Sequence, residues 1–285
     1  MAPNIKPFEE RMYYAQDRKD YFEHPENYRF DPFRIYGNLY YVGDRDACPY
    51  LIDTGDGLIL IDTGYGHEIQ FLMENIRSLG FRVEDIKIII HSHGHYDHFG
   101  GTEEIKAISG AKVYMSRVDT ELLRQMPERA LCHHSPVPGA KIPWPDVELD
   151  DGDHIRLGNT DITCVLSPGH TFGTLSFFFD VTEDGRTLRV GYWGGTGVLT
   201  MYKAYCAWYH LPMTKCDAMM ETIEKLRKEH VDISIGNHAG QCAMIKKRRQ
   251  WLENPDVNPF IDAAYWQTFL DKTQENCQEM IRLGY

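Results

Sequence analysis

Short apolar runs alternate with turn residues over the first quarter of the chain. Phe33-Arg34-Ile35, Leu39-Tyr40-Tyr41-Val42, Pro49-Tyr50-Leu51-Ile52-Asp53 and Leu58-Ile59-Leu60-Ile61-Asp62 are rich in β-branched and aromatic residues and too short for helices. Gly-Asn, Gly-Asp and Asp-Gly pairs separate them, so they read as strands of antiparallel hairpins. The period then changes. Ile69, Leu72, Met73, Ile76 and Leu79 fall on one helical face, and Gly80 stands where a C-terminal cap belongs. Residues 86–90 form a β-branched run, hence a buried strand, that delivers the chain into His91-Ser92-His93. The pattern predicts a helix over 102–108, a strand over 112–115 and a helix over 118–125. Residues 127–148 hold five prolines, His133, His134 and Trp144. They read as a long irregular loop, of a kind that often serves function.

The second half repeats the theme. Strands are expected at 154–157, 161–166, 174–180, 187–193 and 231–235. A helix should run through Met219, Ile223 and Leu226, and another over 263–282. Strands lead each half and helices follow, which suits an α/β sandwich of two sheets with helices on both outer faces. Residues 1–30 are polar and aromatic without a period, and read as an extension packed on the body. No linker divides the rest, so 31–285 reads as a single domain.

Composition narrows the partners. The 285 residues carry a net charge of −12. Such an acidic surface repels phosphate backbones and argues against nucleic acid. No stretch approaches the roughly 20 apolar residues that span a bilayer, and the first residues lack a secretory apolar region. A cytoplasmic protein with a small-molecule substrate is the expectation; oligomeric state is not legible. The run Lys246-Lys247-Arg248-Arg249 reads as a solvated helix face, or functionally as a rim for anionic substrates. Seven cysteines without a Cys-x-x-Cys pair suggest reduced, mostly buried thiols.

The decisive segment is His93-Gly94-His95-Tyr96-Asp97-His98, four potential metal ligands in six residues directly after a buried strand. Imidazole nitrogen and carboxylate oxygen suit zinc, and the same donors accommodate iron or manganese. A loop can turn His93 and His95 toward one metal and Asp97 and His98 toward a second. Gly94, Gly100 and Gly101 permit the tight turns this requires. His170 follows the strand ending at Leu166, and His238 follows the strand ending at Ile235, so both approach the same sheet edge. Burying these groups without a metal would be costly. His67, His154, His210 and His230, and with less contrast His133 and His134, read as ordinary surface or core histidines.

His93-x-His95-x-Asp97-His98 resembles the H-x-H-x-D-H signature of the metallo-β-lactamase superfamily. Leu60-Ile61-Asp62-Thr63-Gly64, Pro168-Gly169-His170-Thr171 and His238 resemble its other landmarks, in order. The resemblance runs from about residue 32 to 275 and implies an αββα sandwich: two mixed β-sheets flanked by helices, with two zinc ions at one edge. Residues 32–43 and Asn258-Pro259-Phe260-Ile261-Asp262 resemble the ends of the third subclass of metallo-β-lactamases. In that subclass the first zinc would be held by His93, His95 and His170, and the second by Asp97, His98 and His238. Trp193-Gly194-Gly195-Thr196-Gly197 departs from other branches, which place a bridging Asp or a Cys there, and from the third subclass, which usually has a Ser near Gly195.

The implied activity is zinc-dependent hydrolysis, β-lactamase-like. A hydroxide shared by two zinc ions opens a cyclic amide, with Asp97 as the catalytic residue that orients the water. Asp62 would support a ligand histidine from behind. Tyr96, Phe172, Trp193 and Gly195, next to ligands in sequence, are expected to line the substrate pocket. The alternatives are a hydrolase of a lactone, ester or thioester on the same fold, and a metal-binding or oxidoreductase member without hydrolase activity.

Overall fold

The computed structural model describes residues 19–285. The first eighteen residues of the expected N-terminal extension lie outside the described residues. From there a short helix, α1 (Lys19–Glu23), and a 3-10 turn (Pro25–Tyr28) lead into the body. Tyr21 is buried there, its ring 4.9 Å from that of Tyr65.

The first sheet contains β1 (Phe33–Tyr36), β2 (Leu39–Tyr41), β3 (Tyr50–Asp53), β4 (Leu58–Ile61), β5 (Ile86–Ile90), β6 (Lys112–Ser116) and β7 (Val147–Leu149), in that spatial order. β1 to β4 form an antiparallel meander, while β4 to β7 run parallel. The second sheet has the order β12-β11-β10-β9-β8. Its strands are β8 (His154–Leu157), β9 (Thr160–Leu166), β10 (Leu175–Glu183), β11 (Arg186–Trp193) and β12 (Ile233–Gly236). Only the β11–β12 pair in it is parallel. The remaining helices are α2 (Ile69–Ser78), α3 (Tyr96–Phe99), α4 (Thr102–Ser109), α5 (Arg117–Gln125), α6 (Lys203–Trp208), α7 (Lys215–Leu226), α8 (Met244–Glu253) and α9 (Ala263–Leu283). None is long and apolar enough to cross a membrane.

Strand alternation explains the continuous apolar runs. Ile59 and Ile61 of β4 and Ile88 and Ile90 of β5 face the second sheet, in one cluster with Phe177, Phe179, Val190 and Tyr192. Leu58 and Leu60, with Ile86 and Ile89, face outward onto Ile69, Leu72, Met73 and Ile76 of α2 and Ile105 of α4. Strands covered on both faces need no polar positions. The two mixed sheets flanked by helices form the expected αββα sandwich.

Some elements differ from the sequence reading. β7 emerges at the end of the proline-rich stretch, three residues being too few to show a period. α3 is a single turn inside the histidine motif, and all four of its residues are buried, so no amphipathic pattern marks it. The basic run lies on α8 and is only half solvated. Lys247 is 5% exposed, its ammonium 3.7 Å from the Tyr265 ring centre, and Arg248 lies over Phe33. All seven cysteines are free thiols, and all but Cys132 are buried.

Candidate metal centre

Three strand ends supply the site. The loop after β5 carries His93, His95, Asp97 and His98; the loop after β9 carries His170; the loop after β12 carries His238. The imidazoles crowd together. Ring centres lie 4.7 Å apart for His93 and His95, 4.6 Å for His93 and His170, and 4.3 Å for His93 and His98.

Hydrogen bonds on the outer nitrogens fix which atoms face inward. His93 Nδ1–H donates to the Gly194 carbonyl at 3.0 Å, and His170 Nδ1–H to the Gly197 carbonyl at 2.7 Å. Each leaves Nε2 without a proton and turned inward. His93 Nε2 is buried with no hydrogen-bond partner among the described residues. His170 Nε2 faces His95 Nδ1 at 3.1 Å. Ligand atoms of His93, His95 and His170 all lie within 4.8 Å of one another, and so do those of His93, Asp97 and His98. His238 Nε2 completes the second group, 3.2 Å from His98 Nε2 and 3.4 Å from Asp97 Oδ2. Buried imidazole nitrogens and a carboxylate oxygen that converge on one volume are what a cation requires, so the donor set fits zinc.

Charge divides the two groups. Burial, reinforced by neighbouring imidazoles, pulls His93 and His95 well below the ordinary histidine range, and burial takes His170 down to about 3. These three imidazoles are neutral. Burial opposes charge on His98 too, but the Asp97 and Asp62 carboxylates override it and raise His98 to about 9. Asp46 and Asp97 likewise lift His238 to about 10 against its burial.

Two buried carboxylates brace the loops. Asp62 accepts from Ser92 N–H and Ser92 Oγ–H at 2.8 Å, from the Tyr192 hydroxyl at 2.7 Å, and from His98 Nδ1–H at 3.0 Å. It adopts φ +56°, a conformation costly for a residue with a side chain. Asp119, which sequence reasoning missed, lies in the first turn of α5. Its carboxylate accepts from Gly94 N–H, Thr171 Oγ–H and Gly173 N–H, each at 2.8 Å. One side chain thus joins the His93/His95 loop to the His170 loop. Behind it, the buried Lys215 ammonium donates to the His170 carbonyl at 2.8 Å. An acidic residue three positions after a helix-capping serine gives no sequence signal of either link. Gly194 belongs to the same frame. A Cβ there would lie 1.9 Å from the Leu175 carbonyl oxygen, and its own carbonyl takes both His93 and Asn237.

A cavity of about 300 Å³ opens over His95, Asp97, His170 and His238. Tyr96 lines it, and so does His134, which the sequence reading set aside. The other expected pocket residues lie elsewhere. Trp193 is fully buried against Trp266 and Phe269. Alternation along β11 is the reason, because Tyr192 takes the inter-sheet side and Trp193 the helix side. Phe172 borders a separate small cavity beside Lys215. Gly195 is a spacer, since a Cβ would lie 3.0 Å from the His170 side chain.

The family model described as the metallo-beta-lactamase superfamily matches residues 43–190. The structure is similar to a metallo-beta-lactamase from Elizabethkingia meningoseptica, with TM-score 0.79 and 30% identity over 99% of this chain and 97% of that one. It is also similar to a subclass B3 metallo-beta-lactamase of Bradyrhizobium japonicum, with TM-score 0.76 and 28% identity over 90% of this chain and 95% of that one. A hydroxyacylglutathione hydrolase from Maricaulis maris is 34% identical over 89 residues, 31% of this chain and 27% of that protein. The chain spans less than two thirds of the length of the first curated relatives it matches, from 27% to 63%. With the family model running through the His93–His98 motif and His170, and a B3 enzyme sharing the sandwich over most of its length, the chain belongs to the metallo-beta-lactamase superfamily.

Proposed function

We propose that the chain is a zinc-dependent hydrolase that opens a cyclic amide in a small molecule. His93, His95 and His170 would hold one zinc, and Asp97, His98 and His238 the other. The observation that carries this reading is the bare, buried His93 Nε2, at the meeting point of both donor groups. Zinc, when bound, brings the pKa of water toward 7 and polarises a carbonyl. The protein's part is positioning. Asp62 and the Gly194 carbonyl orient His98 and His93, and Asp119 keeps the two loops in register. Asp97, at the cavity wall, is placed to accept a proton or orient water beside the substrate. Iron and manganese suit the same donors less specifically.

A second reading is supported by the hydroxyacylglutathione hydrolases among the relatives: cleavage of an ester, lactone or thioester. The intact donor set disfavours a member without hydrolase activity. The experiment is turnover of a cephalosporin, a carbapenem, a lactone and a thioester by zinc-loaded protein, with a chelator control. Chelator-sensitive kcat/KM above ~10⁴ M⁻¹s⁻¹, the lower edge of ordinary enzyme efficiency, on a lactam supports the first reading. Such turnover confined to the lactone or thioester supports the second. Turnover indifferent to chelation would overturn both.

A further inference from the structure

The outer nitrogens of the site's histidines meet two kinds of partner. His93 Nδ1 and His170 Nδ1 face neutral backbone carbonyls, those of Gly194 and Gly197. In the second donor group the partners are carboxylates. His98 Nδ1 lies 3.0 Å from Asp62 Oδ2, and His238 Nδ1 lies 3.7 Å from Asp46 Oδ1, an ion-pair distance rather than a hydrogen bond. Asp46 stands in the turn between β2 and β3, in no ligand motif of the chain. Backbone ties this turn to the loop of His238 on both sides. The Asp46 carbonyl accepts from Ala239 N–H at 2.9 Å, and Cys48 N–H donates to the Asn237 carbonyl at 2.9 Å. The side chain is anchored as well. The buried Tyr65 donates its hydroxyl to Asp46 Oδ2 at 2.9 Å, so that Oδ1 is the oxygen facing His238. Asp46 N–H in turn donates to Asp44 Oδ1 at 2.6 Å. Asp46 also lines the cavity, next to His238.

We infer that Asp46 is a positioning residue for the second metal: it holds His238 by Nδ1 so that Nε2 faces Asp97 and His98, and its charge favours a dication there. The inference rests on the two-zinc reading above. His238 Nε2, on the far side of the ring, lies 3.2 Å from His98 Nε2 and 3.4 Å from Asp97 Oδ2. An imidazole that keeps its proton on one nitrogen offers the other to a cation, and a carboxylate behind it fixes the ring and raises its basicity. Asp46 thus does for His238 what Asp62 does for His98. The two carboxylates differ in reach. Asp62 also accepts from Ser92, the neighbour of His93, so its loss disturbs both donor groups. Asp46 is joined to the loop of His238, so its loss should be felt at the second group alone.

Zinc titration of the chelator-stripped protein, in competition with a chromophoric chelator, tests this by giving a dissociation constant for each ion. Asp46→Ala should weaken the second zinc by about 10- to 100-fold, the usual effect of losing a carboxylate behind a ligand histidine, and leave the first unchanged. Asp46→Asn keeps the shape and an acceptor oxygen without the charge, and should recover part of the loss. The melting temperature of the metal-free Asp46→Asn protein should match that of the unaltered chain, which separates positioning from damage to the fold. Either variant holding the second zinc as tightly as the unaltered protein, or an equal weakening of both ions, would overturn the role of Asp46 and leave the two-zinc reading standing. An unaltered protein that takes up fewer than two zinc ions would overturn that reading, and the role of Asp46 with it.

Discussion

At the scale of single residues, the site depends on groups that touch no substrate. Asp119 has three donors on its two oxygens, drawn from two different loops. Asparagine would set an N–H against the N–H of Gly94 or Gly173. Asp119→Asn should therefore weaken zinc binding by about 10- to 100-fold, the usual effect of losing a group that orients ligands. Zinc titration and the absorption spectrum of the cobalt-substituted protein would read it. Affinity equal to that of the unaltered protein would show that the clip is dispensable. His95→Ala should abolish hydrolysis and lower metal content together, because its Nδ1 is one of three converging neutral donors; turnover at the original rate with reduced metal would contradict that role. Glu68 gives a prediction about pH. Burial and the neighbouring Asp44 carboxyl raise its pKa from 4.5 to about 10, and Tyr21 hydrogen-bonds to it. A raised carboxyl pKa means the fold binds the proton more tightly than the unfolded chain. That stability is complete below pH 4.5 and lost as pH climbs toward 10, at up to about 1.4 kcal/mol per unit. Glu68→Gln should flatten the fall in melting temperature between pH 5 and 9, and an unchanged slope would rule Glu68 out as its source.

At the scale of elements, legibility followed periodicity. β4 and β5 were evident because both faces are covered and every position but Lys87 is buried. Ile89→Ala, at the centre of that pattern, should cost roughly 2–4 kcal/mol in denaturant unfolding. A loss below about 1 kcal/mol would mean that the outer helices collapse onto the gap. Elements without room for a period, β7 and α3, were not legible. The six candidate residues stand out by their spacing and their places after strands, and the structure gathers them at one edge. The pocket was not legible. Adjacency in sequence suggested Trp193 and Phe172, but a strand sends neighbours to opposite faces, and a loop turns them apart. Leu131, Tyr205 and Tyr209 reach the cavity from distant segments that only folding brings together. Lys247 shows the same limit, since a charge run says nothing about which of its members packs on an aromatic ring.

At the scale of the whole molecule, two sheets bring three strand ends together, and the metal would complete what they begin. Six potential donors gathered at one edge, with Asp62, Asp119 and Gly194 bracing their loops, suit a cation. Zinc should accordingly stabilise the fold, by about 2.7 kcal/mol at a free concentration a hundred times the dissociation constant, with a matching rise in melting temperature. No rise on loading would mean that zinc binds folded and unfolded chains alike. The most direct test of the central claim is the number of zinc ions that chelator-stripped protein takes up on reloading, counted by elemental analysis alongside His93→Ala. Two per chain in the unaltered protein, with a clear loss in the variant that lacks His93 Nε2, is the predicted result. A stripped protein that takes up no tightly bound zinc, or a variant that still takes up two as tightly, would contradict it.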